Sequence, residues 1–151
     1  MSGISALKRP SAILFACTMN AVRSPMAEAL MRHFHGRNTW VRSVGVHKGE
    51  QDAFAIQVME EIGLDISHHR PTTFEALEDT YFDVIISLSP EAHHNALELT
   101  RTMACPVEYW PTLDPAVVEG SREIRLDAYR AVRDKLQSRV LKRFPLTVAH
   151  D

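Results

Sequence analysis

Cysteine is almost missing from this sequence: Cys17 and Cys105, 88 positions apart, are the only two in 151 residues. That excludes a disulfide scaffold and a cysteine-rich metal site, and in a reducing compartment it leaves both as free thiols, at least one of them available for reaction. Glycine and proline are scarce as well, at 6 and 8 residues, which excludes collagen-like and low-complexity chains. Neither sign of charge dominates. Seventeen basic residues against nineteen acidic ones leave a net charge of −2 and no basic field for nucleic acid. The densest basic pair, Lys142-Arg143, suits the C-terminal end of a helix, where cations meet the macrodipole. Long apolar runs are absent too. The longest, from Ser11 to Cys17, is far too short to span a bilayer, and Met1 to Pro10 lacks the apolar stretch and cleavage site of a secretion signal. A cytoplasmic protein with no membrane or nucleic-acid partner is expected.

What is present is the material of a core. Hydrophobic residues are 45% of the chain and charged residues 24%, and no repeat, linker or composition shift divides it, so residues 1–151 read as a single domain. Strand and helix signals alternate throughout. Ala12 to Ala16 is a fully apolar run of the kind buried on both faces of a parallel sheet. Ser24-Pro25 reads as an N-cap and first helical position, followed by Met26, Leu30 and Phe34 on one face and Gly36 as the stop. Trp40 to Val46 reads as a second strand, and Phe54, Val58 and Ile62 as a second helix ended by Gly63. Thr72 and Glu75 form a capping-box pattern that predicts a short helix through Leu77. Phe82 to Ile86 predicts a third strand, Ser89-Pro90 opens a helix to about Thr100, and Val107 to Trp110 predicts a fourth strand. Ile124, Ala128, Val132, Leu136 and Val140 mark a long final helix. The pattern predicts an α/β fold with a four-stranded parallel sheet and helices on both faces.

In such sheets ligands bind beyond the carboxyl ends of the strands, which is where the segment Cys17-Thr18-Met19-Asn20-Ala21-Val22-Arg23-Ser24 falls. A loop whose successive N–H groups turn inward and close on a helix N-terminus forms a nest for a tetrahedral oxyanion such as phosphate. Thr18, Met19, Asn20, Ala21, Val22, Arg23 and Ser24 are therefore candidate phosphate-binding residues. Arg23 can grip two equatorial oxygens while Cys17 sits below the phosphorus as an in-line nucleophile. The positive field there favours the thiolate, and Ser24 can donate to the sulfur. A phosphocysteine route also needs an acid for the leaving oxygen and a base for the attacking water. One carboxylate can serve both steps. Asp114, after the fourth strand and between Pro111 and Pro115, is the candidate, although Asp114-Pro115 reads equally as an ordinary turn on local sequence.

Over nearly its whole length the chain resembles the low-molecular-weight protein tyrosine phosphatases. The resemblance rests on the Cys17 loop, Ser24-Pro25-Met26-Ala27-Glu28, Ser43-Val44-Gly45, Gly63 to His68, and Asp114-Pro115. It implies a flavodoxin-like fold, no metal or other cofactor, and the roles just given to Cys17, Arg23, Ser24 and Asp114. It also implies a supporting network in which Asn20 takes a left-handed backbone conformation and is tied to Ser43 and His68. The substrate implied is a phosphorylated protein or a small aryl phosphate. The chain also departs from the pattern. Met19 replaces a usual glycine, and Val22 stands where many members carry a second cysteine. His47-Lys48-Gly49 and Ala116-Val117 stand where aromatic residues would wall a substrate ring.

Two other functions compete. Thioredoxin-coupled arsenate reductases share the fold and loop, and the stretch from Tyr109-Trp110 to Arg133 resembles that branch more. They regenerate the nucleophile through two further cysteines after the third strand, and Ser87 to Ala92 has none, which favours the phosphatase. A non-catalytic oxyanion or phosphoprotein binding module would use Arg23 and the loop amides but has no need of a thiolate and an acid. A metal protein is disfavoured because the adjacent pairs His68-His69 and His93-His94 diverge on any regular element and read as solvated.

Overall fold

The computed structural model describes residues 10–78 and 81–146. Their elements alternate in the predicted order: β1 (Ala12–Cys17), α1 (Arg23–His35), β2 (Trp40–Gly45), α2 (Ala53–Glu60), β3 (Val84–Ser87), α3 (Pro90–Leu99), β4 (Val107–Tyr109) and α4 (Arg122–Arg143), with short 3₁₀ turns at Thr100–Thr102 and Pro115–Val117. The four strands pair in parallel in the order β2-β1-β3-β4, so β1 is central and both of its neighbours are reached by crossovers in opposite directions. The gap beyond the carboxyl ends of β1 and β3 is the topological switch point of this doubly wound fold, and β1 runs directly into it.

Strand parity decides what faces which layer. Ile13, Phe15 and Cys17 join the larger core beneath α1, α2 and α4, whereas Ala12, Leu14 and Ala16 join the smaller core under α3. Phe15 and Leu14 are fully buried, and truncating such a side chain costs about 2–5 kcal/mol. The long helix α4 lies across α1 and α2. Arg133 locks that contact by donating to the Val58 carbonyl at 2.8 Å and to Glu61 at 2.8 Å, while Arg130 grips the same Glu61 carboxylate from the next turn. Those two guanidiniums hold the Glu61 carboxyl down at about 2.

Two predicted features form differently. The first is the start of α1, where Val22 is the flanking residue and contributes no side-chain cap. Ser24 lies inside the helix with its hydroxyl turned away from the helix amides, toward Cys17. The second is the Thr72–Leu77 stretch, which is not helical. A helix there would have to be nucleated by its own cap, but the backbone of that stretch is taken by neighbours. The Thr72 N–H donates to Asn20, Gly45 donates to the Thr72 carbonyl, and Phe74 donates to the Gly45 carbonyl. These tertiary bonds hold residues 72–74 beside the end of β2, bridging Gly45 and Thr73, and only a single turn follows, in which Ala76 and Leu77 donate to the Thr73 and Phe74 carbonyls. By contrast the Ser89-Pro90 start behaves as predicted, with the Ser89 hydroxyl accepting from the Ala92 N–H.

Candidate active site

Cys17 is the last residue of β1, and the chain folds back on it at once. Asn20 carries φ 55°, the only positive φ outside glycine among the described residues; Met19 needs none. Asparagine tolerates this region better than other side-chain-bearing residues. The fold-back brings the Asn20 N–H to 3.3 Å and the Ser24 N–H to 3.4 Å from the Cys17 Sγ, with the Ser24 Oγ at 2.9 Å. The sulfur is 1% exposed, so these three donors replace solvent. Asn20 also donates through Nδ2 to Ser24 Oγ at 2.8 Å. With that lone pair occupied, the single Ser24 proton has two acceptors in reach, the sulfur at 2.9 Å and the Val44 carbonyl at 3.4 Å, and the shorter contact is the sulfur.

The carbonyls of the loop point outward into bonds of their own. Cys17 O accepts from Val46, Thr18 O from His47 and Met19 O from Gly49. The amides of Met19, Ala21, Val22 and Arg23 have no acceptor among the described residues. Donors left unpaired on this scale are rare in folded chains unless a ligand or water takes them. Gly45 permits the close approach: a Cβ there would lie 2.8 Å from the Asn20 nitrogen and 2.6 Å from the His47 carbonyl. Thr18 anchors the other side by donating to Ser89 Oγ at 3.0 Å, which ties the loop to the start of α3.

Behind the loop lies a buried polar network. Asn20 is fully buried with every amide valence used, donating to Ser24 and Ser43 and accepting at Oδ1 from the Thr72 N–H, while His69 Nε2 lies 3.1 Å from the same oxygen. Ser43 passes its proton to Glu28 Oε1 at 2.6 Å, and Arg32 holds the other Glu28 oxygen at 2.7 Å. His69 Nδ1 sits 3.6 Å from Glu28 Oε1. Asn20 and Ser43 are thus joined as expected, but the histidine is His69. His68 points the other way, exposed beside Asp65 at 3.5 Å, because adjacent side chains in this extended turn face opposite sides. Of the two histidine pairs expected to be solvated, each has one member held by the fold: His69 here, and His93, which stacks on Tyr109 and meets Ser87 Oγ at 2.8 Å.

Arg23, its side chain only 9% exposed, reaches across the mouth of the loop. One nitrogen donates to the Thr112 carbonyl at 3.0 Å and another lies 3.9 Å from Asp114 Oδ2. Asp114 caps the Pro115–Val117 turn through Oδ1, leaving Oδ2 to face Arg23. Cys17, Arg23 and Asp114 line one cleft of about 210 Å³ with Met19, Glu50 and Asp52. Asp52 caps α2 and accepts from Tyr129 at 2.7 Å. Burial and that carboxylate push the Tyr129 phenol up, which keeps it a donor. No aromatic ring lines the cleft, in keeping with the residues that stand at positions 47–49 and 116–117. Sequence reasoning gave no site role to Glu28, His69, Thr72, Ser89 or Thr112. Glu28 could have been found, since it falls four residues after Ser24 on the same face of α1.

The molecule is thus a doubly wound α/β protein whose switch point holds a cysteine sulfur under unpaired loop amides, beside an arginine and a carboxylate. The sequence profile described as "Low molecular weight phosphotyrosine protein phosphatase" matches residues 12–144, and the chain belongs to that family. An arsenate reductase of Bacillus licheniformis is 32% identical over 148 residues, covering 89% of this chain and 95% of the relative. The crystal structure of an arsenate reductase from Archaeoglobus fulgidus superposes with a TM-score of 0.67 at 27% identity, covering 86% of this chain and 96% of that one. A tyrosine phosphatase from Erwinia amylovora shares the fold with a TM-score of 0.72 at 18% identity, covering 94% and 95% of the two chains. Among the described residues no three histidine, cysteine or carboxylate side chains are grouped to hold a metal, and no helix is long and apolar enough to cross a membrane.

Proposed function

We propose that the protein is a phosphomonoesterase that acts on phosphotyrosine or other aryl phosphates through a phosphocysteine on Cys17. The observation that carries this reading is the Cys17 sulfur, held by three donors beneath unpaired loop amides in a cleft shared with Arg23 and Asp114. In the first step Sγ attacks phosphorus, the bond to the leaving oxygen breaks, and Asp114 gives that oxygen a proton. In the second, Asp114 takes a proton from water, whose oxygen attacks phosphorus, and the S–P bond breaks to return the thiolate and release inorganic phosphate. Arg23 holds the equatorial oxygens in both steps, and Ser24 stabilises the departing sulfur. The Asn20–Ser43–Glu28–His69 network fixes the loop for this work.

The arsenate reductase reading is supported by the names of the curated relatives, but with only two cysteines this chain lacks an intramolecular relay to restore an oxidised nucleophile. Cys105 lies two residues before Val107, which is in register with Ile85 and Leu14. It is therefore level with Ala12, about 16 Å short of Cys17 along the sheet, against the roughly 7 Å that a disulfide spans. The two thiols also face opposite cores. The deciding experiment measures p-nitrophenyl phosphate hydrolysis and thioredoxin-dependent arsenate reduction side by side. The expected result is sustained phosphate release, inhibited by phosphate, arsenate and vanadate, with no multi-turnover arsenite. The reverse pattern would overturn the reading.

A further inference from the structure

On the far side of the 110–114 segment from the cleft, the structure has a second recess, of about 170 Å³, between Trp110-Pro111-Thr112 and α4. An apolar protein cavity of about 150 Å³ accommodates a benzene ring, so this one admits a single ring with part of a second outside. Its floor is the Trp110 indole, 3% exposed and fixed edge-on against Phe15. Its wall is one stripe of α4, where Lys135, Arg139 and Lys142 follow at i, i+4 and i+7. Six arginines of this chain, Arg23, Arg32, Arg101, Arg130, Arg133 and Arg143, each lie against a carboxylate. Lys135, Arg139 and Lys142 have no acidic partner among the described residues. Arg139 lies over the indole, 5.0 Å from its centroid, with its N–H edge unclaimed. The Glu108 carboxylate, which accepts from the Trp110 N–H, is already neutralised by a two-point contact from Arg143. An apolar floor under three unpaired cations complements a flat ring that carries an anionic group.

We propose that this recess is a binding site for a small aromatic anion, its ring on Trp110 and its charge on Lys135, Arg139 and Lys142. The site is joined to the cleft by one residue. Thr112 lines the recess, and its carbonyl receives Arg23, the group that holds the substrate's phosphoryl oxygens. An occupant that shifts the 110–112 backbone therefore shifts Arg23 and Asp114 together. This coupling rests on the phosphatase reading; the binding does not.

The test uses naphthalene-1-sulfonate, which a phosphatase cannot hydrolyse, on the full chain carrying Trp40→Phe so that Trp110 is the sole tryptophan. Vanadate at saturation keeps the probe out of the catalytic cleft. The expected result is a saturable change in Trp110 emission, weakened about tenfold or more when Lys135, Arg139 and Lys142 are all changed to glutamine and by less in Arg139→Gln alone. The neutral naphthalene-1-sulfonamide is expected to give no saturable change. Absence of saturation, an unchanged Kd in the triple variant, or equal binding of the sulfonamide would overturn the site. With vanadate omitted, the sulfonate is expected to change kcat for p-nitrophenyl phosphate at least twofold without competing with it. A bound probe that leaves the rate untouched overturns the coupling. A protein that turns over no phosphomonoester refutes the phosphatase reading while the fluorescence result still decides the site.

Discussion

The two thiols of this chain sit at opposite ends of the same sheet and are surrounded by opposite chemistry. Cys17, at the carboxyl end of β1, is a target of donors: two backbone N–H groups and a hydroxyl approach its sulfur. Cys105, at the amino end of β4, is itself a donor, giving its proton to the Phe82 carbonyl at 3.2 Å. Burial, and after it the Asp83 carboxylate, push the Cys105 thiol up from 9.0. Carbonyls and carboxylates face one sulfur, amides the other. In a parallel sheet followed by a helix, amides gather at the carboxyl edge, so the end of a strand at which a cysteine stands decides which groups face its sulfur.

The sharpest way to break this comparison is to replace each sulfur in turn. Cys17→Ser is expected to lower kcat for p-nitrophenyl phosphate by about a thousandfold or more while phosphate and vanadate still bind, because the anion cradle is backbone and Arg23. Cys105→Ser is expected to stay within a few-fold of the parent, and a comparable loss in both variants would erase the distinction. Next in size is Arg23→Lys, expected to cost about a hundredfold, since an ammonium cannot both hold Thr112 and grip two phosphate oxygens in one plane. For Asp114→Asn the expected loss depends on the leaving group: about a hundredfold for phenyl phosphate but tenfold or less for p-nitrophenyl phosphate, whose oxygen departs without a proton. Equal losses would assign the acid to another residue.

Smaller effects sharpen the picture of what supports Cys17. His69→Ala is expected to lower kcat by about tenfold through a loosened Asn20, and His68→Ala to change nothing measurable, although the two are adjacent in sequence. The opposite ranking would place His68 in the network after all. In the Cys17→Ser protein, alkylation by iodoacetamide reports Cys105 alone. A raised thiol holds less thiolate at any pH below its titration, so the reaction is expected to be slow at pH 7 and to accelerate only above pH 9. Fast modification at neutral pH would mean that Cys105 is not held as a donor.

Much of this was written locally. The apolar run of β1 and the Ser89-Pro90 start of α3 formed as predicted because each draws its stability from its own pattern of burial and capping, and α4 formed where its repeat placed it, although its first turns bury Leu126 and Tyr129 in place of Ile124 and Ala128. The Cys17–Arg23 spacing placed a thiol, a loop and a helix start at a strand's carboxyl end for the same reason. The misreadings came where a residue had two competing partners. Ser24 could cap its helix or serve the sulfur, and Thr72 could start a helix or bond Asn20; in each case the partner was distant in sequence and stronger in place, since a buried Asn20 or Cys17 leaves no water to compensate a lost bond. Which of His68 and His69 turns inward, that Glu28 anchors Ser43, and that Cys105 lies about 16 Å short of Cys17 along the strand direction were likewise settled by strand register and helix placement. The sequence determined the kind of chemistry, one sulfur and one guanidinium on a single loop. Only the tertiary structure decided which buried groups hold that sulfur, because a satisfied polar network is a property of partners that meet across the fold.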